Sequence, residues 1–347
     1  MSSDISPYQS RPPWAFWRSA VVERQAEAVA HLHQPKFQMD AGLPIMTAGS
    51  CFAQHLHRKL DGMGWNVIQT EDIADRIPRR VARRYGYGLY SARYGNLYTP
   101  RQLVELMREV GAPAPIIWEK DGRFYDALRP GVEPQGLGSA GDVVQARAAH
   151  LKCVEIALSQ AQCLIFTLGL TEAWVDRATG RTLPTAPGTI AGTITDNPVD
   201  FVNFGFAEIL GDMITARDML MARNPDIKML LTVSPVPLTA TATEAHVAVA
   251  STTSKSILRA VCAELVARFD NVDYFPSYEI ITTPVLGGPF FADNLRDPSE
   301  VGVAKVMDTF VASYADGAVD VIPAPVPVHE AEWDVQCEEI MLEAFRT

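Results

Sequence analysis

The amino-acid sequence predicts a three-layer α/β/α sandwich with a mostly parallel sheet and loop insertions. Short apolar runs alternate along the chain with segments of helical periodicity, which is the order of elements in α/β proteins. The runs are apolar at nearly every position, as in strands that helices cover on both faces. The chain has 347 residues, 48% of them hydrophobic, and is therefore long enough to bury a large core.

Local signals predict the elements in turn. We expect strands at residues 43–48, 162–168, 228–233 and 272–275, and a hairpin at 116–125. Helices are predicted at residues 21–31, 53–63, 100–110, 142–159, 204–223, 254–269 and 299–314. Thr99 is a suitable N-cap for the third of these helices, and Pro100 suits its first turn. Residues 176–203 are predicted to be mostly loop, because glycines typical of turns recur there.

Composition divides the chain into three parts. Residues 1–40 are polar and contain prolines, and we expect them to form an N-terminal arm that packs on the domain. Residues 41–315 carry all the predicted strands and form the main α/β domain. Residues 316–347 are predicted to be a proline-rich linker followed by a C-terminal helix.

Charge and composition argue against several classes of protein. A formal net charge of −11 argues against nucleic-acid binding. No run approaches the roughly 20 apolar residues of a membrane span, and the N-terminus lacks the apolar region of a secretory signal. The five cysteines are scattered and form no C-x-x-C pair, so we expect no disulfide framework and a reducing, cytoplasmic location. No oligomeric state follows from the sequence.

Neither a metal nor a cofactor is predicted. His31 and His33, and likewise His55 and His57, are spaced i, i+2, and such side chains diverge on a helix. The sequence has no P-loop motif G-x-x-x-x-G-K-S/T, and no G-x-G-x-x-G motif directly follows the first predicted strand, which argues against the common nucleotide folds. The expected chemistry is therefore that of side chains and backbone groups alone.

The main candidate site is the turn that follows the first predicted strand. The apolar run ends at Gly49, Ser50 and Cys51 follow, and a segment of helical periodicity comes next. A helix N-terminus offers backbone N–H groups and positive partial charge, which favour a thiolate or stabilise an oxyanion. A buried structural cysteine at a strand–helix junction is the alternative interpretation.

Polar residues also follow the other predicted strands. Gly169, Thr171 and Glu172 come after the second strand, Ser234 after the third and Glu279 after the fourth. In parallel sheets ligands bind outside the carboxyl ends of the strands, so these residues are expected at one edge. Their convergence there favours an enzyme.

Nucleophilic catalysis also requires a base and an acid that orients it. Among the seven histidines, His246 alone is predicted to lie in a loop after the carboxyl end of a strand, which makes it the candidate base. Glu279 and Asp293 are the candidate acids. The candidate oxyanion donors are the backbone N–H of Cys51, a group of Gly95 or Asn96, and a group of Gly169 or Thr171.

Five sequence blocks resemble the GSCFA-domain family. Residues 49–53 spell GSCFA, and FTLGLTEAW (166–174), LTVSPVPL (231–238), the pair Ser254-Lys255 and YFPSYEI (274–280) resemble further blocks in the same order. The resemblance extends from about residue 14 to residue 310. This family resembles SGNH/GDSL-type hydrolases and acyltransferases, which implies a flavodoxin-like sheet.

The resemblance also implies roles for individual residues. Aligned with the motif Gly-Asp-Ser-Leu, Cys51 takes the nucleophile position, whereas a shift of one residue puts Ser50 there. Gly95, with Asn96 beside it, resembles the second block. Residues 169–172 resemble the third block, Gly-x-Asn-Asp, with Thr171 at the position of the oxyanion Asn and Glu172 next to it.

The last block of the resemblance departs from the pattern. Asp-x-x-His corresponds to residues 293–296, which keep Asp293 but have Arg296 where the base is expected. Either His246 has taken over as the base, or the site lacks the usual base. The resemblance therefore implies the fold more strongly than it implies the catalytic triad.

Two functions are consistent with these residues. The first is acyl-ester hydrolysis or acyl transfer through a covalent acyl-enzyme, on a small-molecule or carbohydrate ester such as an acylated polysaccharide. An acyl carrier or acyl-CoA is then a conceivable donor, and the arginines at residues 76–84 are either a docking patch for its phosphates or a solvated helix face. The second is a non-catalytic binding or regulatory protein on a degenerate SGNH fold.

Overall fold

The computed structural model describes residues 6–74, 76–314 and 338–345. Its strands are β1 (Ile45–Gly49), β2 (Ile117–Lys120), β3 (Arg123–Asp126), β4 (Cys163–Leu168), β5 (Glu172–Asp176), β6 (Thr182–Leu183), β7 (Val199–Asn203), β8 (Lys228–Val233) and β9 (Val272–Tyr274). Its α-helices are α1 (Ala26–Ala30), α2 (Cys51–Gly62), α3 (Arg79–Arg84), α4 (Pro100–Glu109), α5 (Ala140–Gln160), α6 (Phe206–Arg223), α7 (Val247–Arg268), α8 (Ser277–Thr282) and α9 (Glu300–Tyr314).

The central sheet is parallel and has the strand order β1-β4-β8-β9. Phe166 of β4 pairs with Ala48 on one side and with Leu231 on the other. Beyond β1, Ile45 makes a parallel bridge to Val67. When the segment at Val67 is counted as the second strand along the chain, the order becomes 2-1-3-4-5, as in flavodoxin-like sheets. The predicted three-layer α/β/α fold is confirmed.

Helices cover both faces of the central sheet. One face packs against α4, α5, α6 and α7, and Leu164 and Phe166 of β4 are buried there. The opposite face packs against α2, α8 and α9, and buries Cys163 and Ile165. Successive side chains of a strand point to opposite faces, so a strand covered on both sides is apolar at every position.

Several elements differ from the sequence prediction, among them the helix predicted at residues 21–31, of which only Ala26–Ala30 is α-helical. Residues 176–203, predicted to be mostly loop, contribute β6 and β7, which pair antiparallel with β5. Such short strands are fixed by their pairing rather than by local propensity. Helix α7 begins at Val247 instead of residue 254, because His246 caps it through Nδ1, which accepts from the Ala248 N–H at 3.2 Å. His246 therefore ends up at a helix terminus and not in an irregular loop.

A buried ion-pair network attaches the β2–β3 hairpin to the core. Arg147 of α5 contacts Glu109 at 2.5 Å and Asp126 at 3.3 Å. Arg129 pairs with the same Asp126 carboxylate at 2.9 Å and donates to a carbonyl of the loop at residues 93–98. Removing one member of such a network leaves an uncompensated buried charge, which is costly. Because Arg129 also bonds to the loop, the network holds the loop in place.

The N-terminal arm contacts the main body through polar side chains. His33 Nε2 lies 2.9 Å from the Tyr314 hydroxyl, and Lys36 Nζ donates to the Val266 and Phe269 carbonyls at 2.7 Å each.

At the C-terminal end, the predicted linker lies almost wholly outside the described residues, while Glu338–Phe345 forms a 3₁₀-helix within the predicted C-terminal helix. Across residues 6–74, 76–314 and 338–345, no helix is both long and apolar enough to cross a membrane.

Candidate active site

The candidate site starts at the turn between β1 and α2. Gly49 has φ +130°, and a Cβ at this position would lie 2.4 Å from Thr167 O on β4. Only glycine fits there, since other residues avoid this conformation and would collide with the neighbouring strand. The next residue, Ser50, donates its N–H to the same Thr167 carbonyl at 3.0 Å and is the N-cap of α2. Cys51 is consequently the first residue of the helix.

A second glycine allows the end of β4 to approach this turn. A Cβ on Gly169 would lie 2.9 Å from Ser50 Cβ and 3.0 Å from Tyr98 O. The N–H groups of Gly169 and Leu170 both donate to that Tyr98 carbonyl, at 2.9 and 3.2 Å. On the far side, Lys255 of α7 donates from Nζ to Gly169 O at 2.6 Å. The Gly169 peptide thus links the nucleophile turn, the Tyr98 loop and Lys255.

These elements surround one pocket at the carboxyl edge of the sheet. It is lined by Ser50, Cys51, Tyr98, Gly169, Leu170, Ser234, Val236, Leu238 and Lys255. Ser50 Oγ is buried and has no hydrogen-bond partner among the described residues. A buried hydroxyl left in this state requires an explanation, and a ligand atom in the pocket would supply its partner.

Asn96 and Tyr98 lie behind this pocket within a hydrogen-bonded group. Asn96 Oδ1 accepts from Gln54 Nε2 at 3.1 Å and from the Tyr90 hydroxyl. The same Tyr90 hydroxyl lies 3.0 Å from Ser50 O, and burial raises the pKa of Tyr90 well above its usual range. Tyr90 is therefore protonated, and its single O–H proton lies within reach of both Asn96 Oδ1 and the Ser50 carbonyl of the turn.

Glu338 of the C-terminal 3₁₀-helix reaches this group. Its Oε2 accepts from Tyr98 OH at 2.9 Å and from Asn96 Nδ2. The side chain is 6% exposed. A carboxylate is thus buried beside the pocket, and it comes from a segment some 240 residues away in sequence.

The two histidines of α2, His55 and His57, are neutral near pH 7. Burial, with a smaller effect of the Arg58 charge, lowers the pKa of His55 to about 3 and that of His57 to about 4. His57 Nδ1 lies 2.7 Å from Thr47 Oγ1, so the ring is hydrogen-bonded to strand β1. Neither histidine lines the pocket.

The predicted base and acids lie at different places. His246 is exposed and caps α7, and Asp293 is exposed. Glu279 accepts from Arg259 Nε at 2.6 Å and from Tyr274 OH at 2.7 Å, an ion pair that joins α8 to α7 and β9. None of these three lines the pocket with Cys51.

The remaining predicted residues support the edge of the site. Thr171 N–H donates to Ser254 Oγ at 3.0 Å, and its hydroxyl lies 2.7 Å from Asn203 Oδ1. Glu172 accepts from Thr241 Oγ1 at 2.6 Å and so holds the loop before α7. Arg296 is half-buried and contacts Asp297 at 3.2 Å. Gly95, with φ +72°, turns the chain just before Asn96.

Sequence reasoning assigned no role to Lys255, Tyr98 or Glu338. A signal for Lys255 was available: Ser251, Lys255, Leu258 and Cys262 follow the spacing i, i+4, i+7, i+11, and all four are buried. The lysine therefore sits in the inward stripe of α7. Glu338 offers no such signal, because only the tertiary fold brings it to Asn96.

No metal centre is formed within the part of the chain that the structure describes. It contains no group of three or more His, Cys, Asp or Glu side chains placed to hold a metal ion. The described cysteines, Cys51, Cys153, Cys163 and Cys262, form no disulfide bonds there. The chemical groups at the pocket are therefore a thiol, two serine hydroxyls, a tyrosine and a lysine.

The fold and the site define a three-layer α/β/α protein with a candidate nucleophile turn at the end of its first strand. The GSCFA family model matches residues 44–310, which span the central sheet and every residue that lines the pocket. The chain belongs to the GSCFA family. A comparison with curated proteins found none that matches it.

Proposed function

We propose that the protein is an acyl-ester hydrolase or acyltransferase that forms a covalent acyl-enzyme at Cys51. One observation carries this proposal: Cys51 stands at the first position of α2 and shares a pocket with the buried side chain of Lys255. A helix N-terminus and a neighbouring cation both favour a thiolate over a thiol. The same N-terminus would hydrogen-bond the oxyanion that forms when the thiolate attacks an acyl carbon.

The reaction proceeds in two halves. In the first, Cys51 Sγ bonds to the ester carbonyl carbon, the C–O bond to the alcohol breaks, and the leaving oxygen takes a proton from Lys255. In the second, the Lys255 amine takes a proton from water or from an acceptor hydroxyl, whose oxygen attacks the thioester and restores the thiolate. Lys255 is proposed for both transfers because it lines the pocket, whereas His246, the base predicted from sequence, caps α7 outside it.

The finer assignment extends the family resemblance. The GSCFA family resembles SGNH/GDSL-type enzymes, and the flavodoxin-like strand order and the strand-end turn support that placement. A carbohydrate or other small-molecule ester is the proposed substrate, by analogy with such enzymes. Cysteines without disulfide bonds support a reducing, cytoplasmic setting.

A burst experiment tests the proposal. With p-nitrophenyl acetate, we expect wild type and Ser50→Ala to release about one nitrophenol per chain rapidly, followed by slow turnover. Cys51→Ala should show no burst. Lys255→Met should slow the burst by roughly 10²-fold or more, and His246→Ala should leave it nearly unchanged. A burst that disappears in His246→Ala would reinstate His246 as the base.

The second candidate function is a non-catalytic binding protein on the same fold. The exposed positions of His246 and Asp293 favour it, since neither residue joins Cys51 in the lining of the pocket. In that case nitrophenol release should be the same in wild type and Cys51→Ala. A pocket ligand, but no covalent intermediate, would then be expected.

A further inference from the structure

The Glu338 carboxylate contacts Asn96 and Tyr98 in the way that a bound ligand contacts its binding site. Both donors are buried, at 2% and 3% exposure, and both point to the same carboxylate oxygen. The other oxygen, Oε1, lies against the backbone of Gly131, where an added Cβ would be only 3.0 Å away. The donors Asn96 and Tyr98 on one side and Gly131 on the other thus enclose a space that fits one carboxylate, which we call the cradle.

The donor pair is held in place by groups other than Glu338. Gln54 and Tyr90 fix the orientation of the Asn96 amide through Oδ1, so Nδ2 is turned toward the cradle. The Tyr98 backbone is held by its carbonyl, which accepts from Gly169 and Leu170, and its side chain packs in a buried cluster with Leu170, Leu238 and Ala250. The cradle is therefore built by the central domain and would persist if Glu338 moved away.

The cradle is also adjacent to the nucleophile turn. Tyr98 lines the pocket together with Cys51, and the Tyr90 hydroxyl that touches Asn96 also contacts Ser50 O. A carboxylate in the cradle is thus hydrogen-bonded to a residue that lines the pocket of Cys51, the residue proposed to carry the acyl group.

We propose that Asn96 and Tyr98 form a binding site for a carboxylate group of the substrate, and that Glu338 occupies this site as an internal competitor. The substrate class is then an acyl compound that bears a free carboxylate near the reacting carbonyl. This inference deepens the proposed function, because it names a recognition group of the same site. The C-terminal 3₁₀-helix must leave the cradle before such a substrate binds.

The test measures binding without turnover. The melting temperature of the full-length chain is recorded against butyrate concentration at pH 7.5 and constant ionic strength, with butyramide as the uncharged probe. In Glu338→Ala, butyrate should stabilise at concentrations about tenfold lower than in wild type, because a tethered carboxylate competes at millimolar or higher effective concentration. Butyramide should have little effect on either protein.

Two further variants make the result specific. Glu343→Ala, an exposed site on the same 3₁₀-helix, should respond to butyrate as wild type does. Glu338→Ala combined with Tyr98→Phe should lose most of the gain, since one of the two donors is gone. If Glu338→Ala does not fold, Glu338→Gln replaces it and should show the same direction of change with a smaller size.

A different result would overturn the inference. If butyrate stabilises Glu338→Ala no better than wild type or no better than butyramide, Glu338 is a structural contact and the cradle is not a carboxylate site. Butyrate binding needs no acyl-enzyme, so this outcome is separate from a failed nitrophenol burst. Conversely, a burst without butyrate binding would keep the acyl-enzyme and remove the carboxylate specificity.

Discussion

Replacing Gly169 by alanine tests whether the close approach of β4 to the nucleophile turn matters for chemistry. The new Cβ would lie 2.9 Å from Ser50 Cβ, 3.0 Å from Tyr98 O and 3.1 Å from Tyr98 Cα. Carbon atoms in contact normally stand about 3.5–4.0 Å apart, so Ser50 or the Tyr98 loop must shift by about 0.6–1.1 Å. Overpacking of this kind costs roughly 1–3 kcal/mol of folding free energy.

The effect on catalysis should exceed the effect on stability. A displacement of about 1 Å at a reacting group lowers the rate about 10²-fold, so the nitrophenol burst of Gly169→Ala should slow by that order. Urea unfolding measures the stability of the same samples. The matched control is Gly211→Ala in α6, where a Cβ meets nothing within 4 Å and should stabilise by about 0.5–1 kcal/mol. A Gly169→Ala protein with a wild-type burst would refute the argument that this contact positions the turn.

Three further predictions concern charge. Lys255→Met should raise the pH midpoint for alkylation of Cys51 by iodoacetamide, because a cation beside the thiolate is lost; an unchanged pH profile would contradict this. Burial holds the pKa of His150 at about 3 in the folded protein against 6.5 when unfolded, so unfolding takes up a proton below pH 6.5. Between pH 6.5 and 3 this residue should therefore lower the free energy of unfolding by up to about 1.4 kcal/mol for each pH unit of acidification. In urea unfolding at pH 6 and pH 5, His150→Gln should lose less of its unfolding free energy than wild type does. Glu109→Gln should cost about 3–5 kcal/mol in urea unfolding because it leaves Arg147 poorly compensated, whereas Glu119→Gln at an exposed site of β2 should change stability by less than about 0.5 kcal/mol.

The features that sequence reasoning found are those whose signals are local. Gly49, Ser50 and Cys51 follow one another directly, so the end of the strand and the start of the helix could be predicted from neighbouring residues. The central strands were predicted because both their faces are buried, which makes them continuous apolar runs. The antiparallel pairs of β5 with β6 and β7 gave no comparable pattern.

The features that could not be predicted from the sequence depend on tertiary contacts. Whether His246 lies in a loop or at a helix end depends on a single capping hydrogen bond to Ala248. The Asn96–Glu338 contact joins residues 242 positions apart, and no periodicity or motif connects them. Lys255 lies between these cases, because the helical period of α7 indicates an inward side chain but not the pocket it lines.

Mass spectrometry of the acylated protein tests the central claim most directly. Wild type, Cys51→Ala and Ser50→Ala are treated briefly with p-nitrophenyl acetate, and the acetyl group is located by peptide mapping before and after neutral hydroxylamine. We expect one acetyl group on Cys51 in wild type and Ser50→Ala, removed by hydroxylamine as a thioester, and none at this turn in Cys51→Ala. An acetyl group on Ser50, or no acetyl group at the turn in any variant, would contradict it.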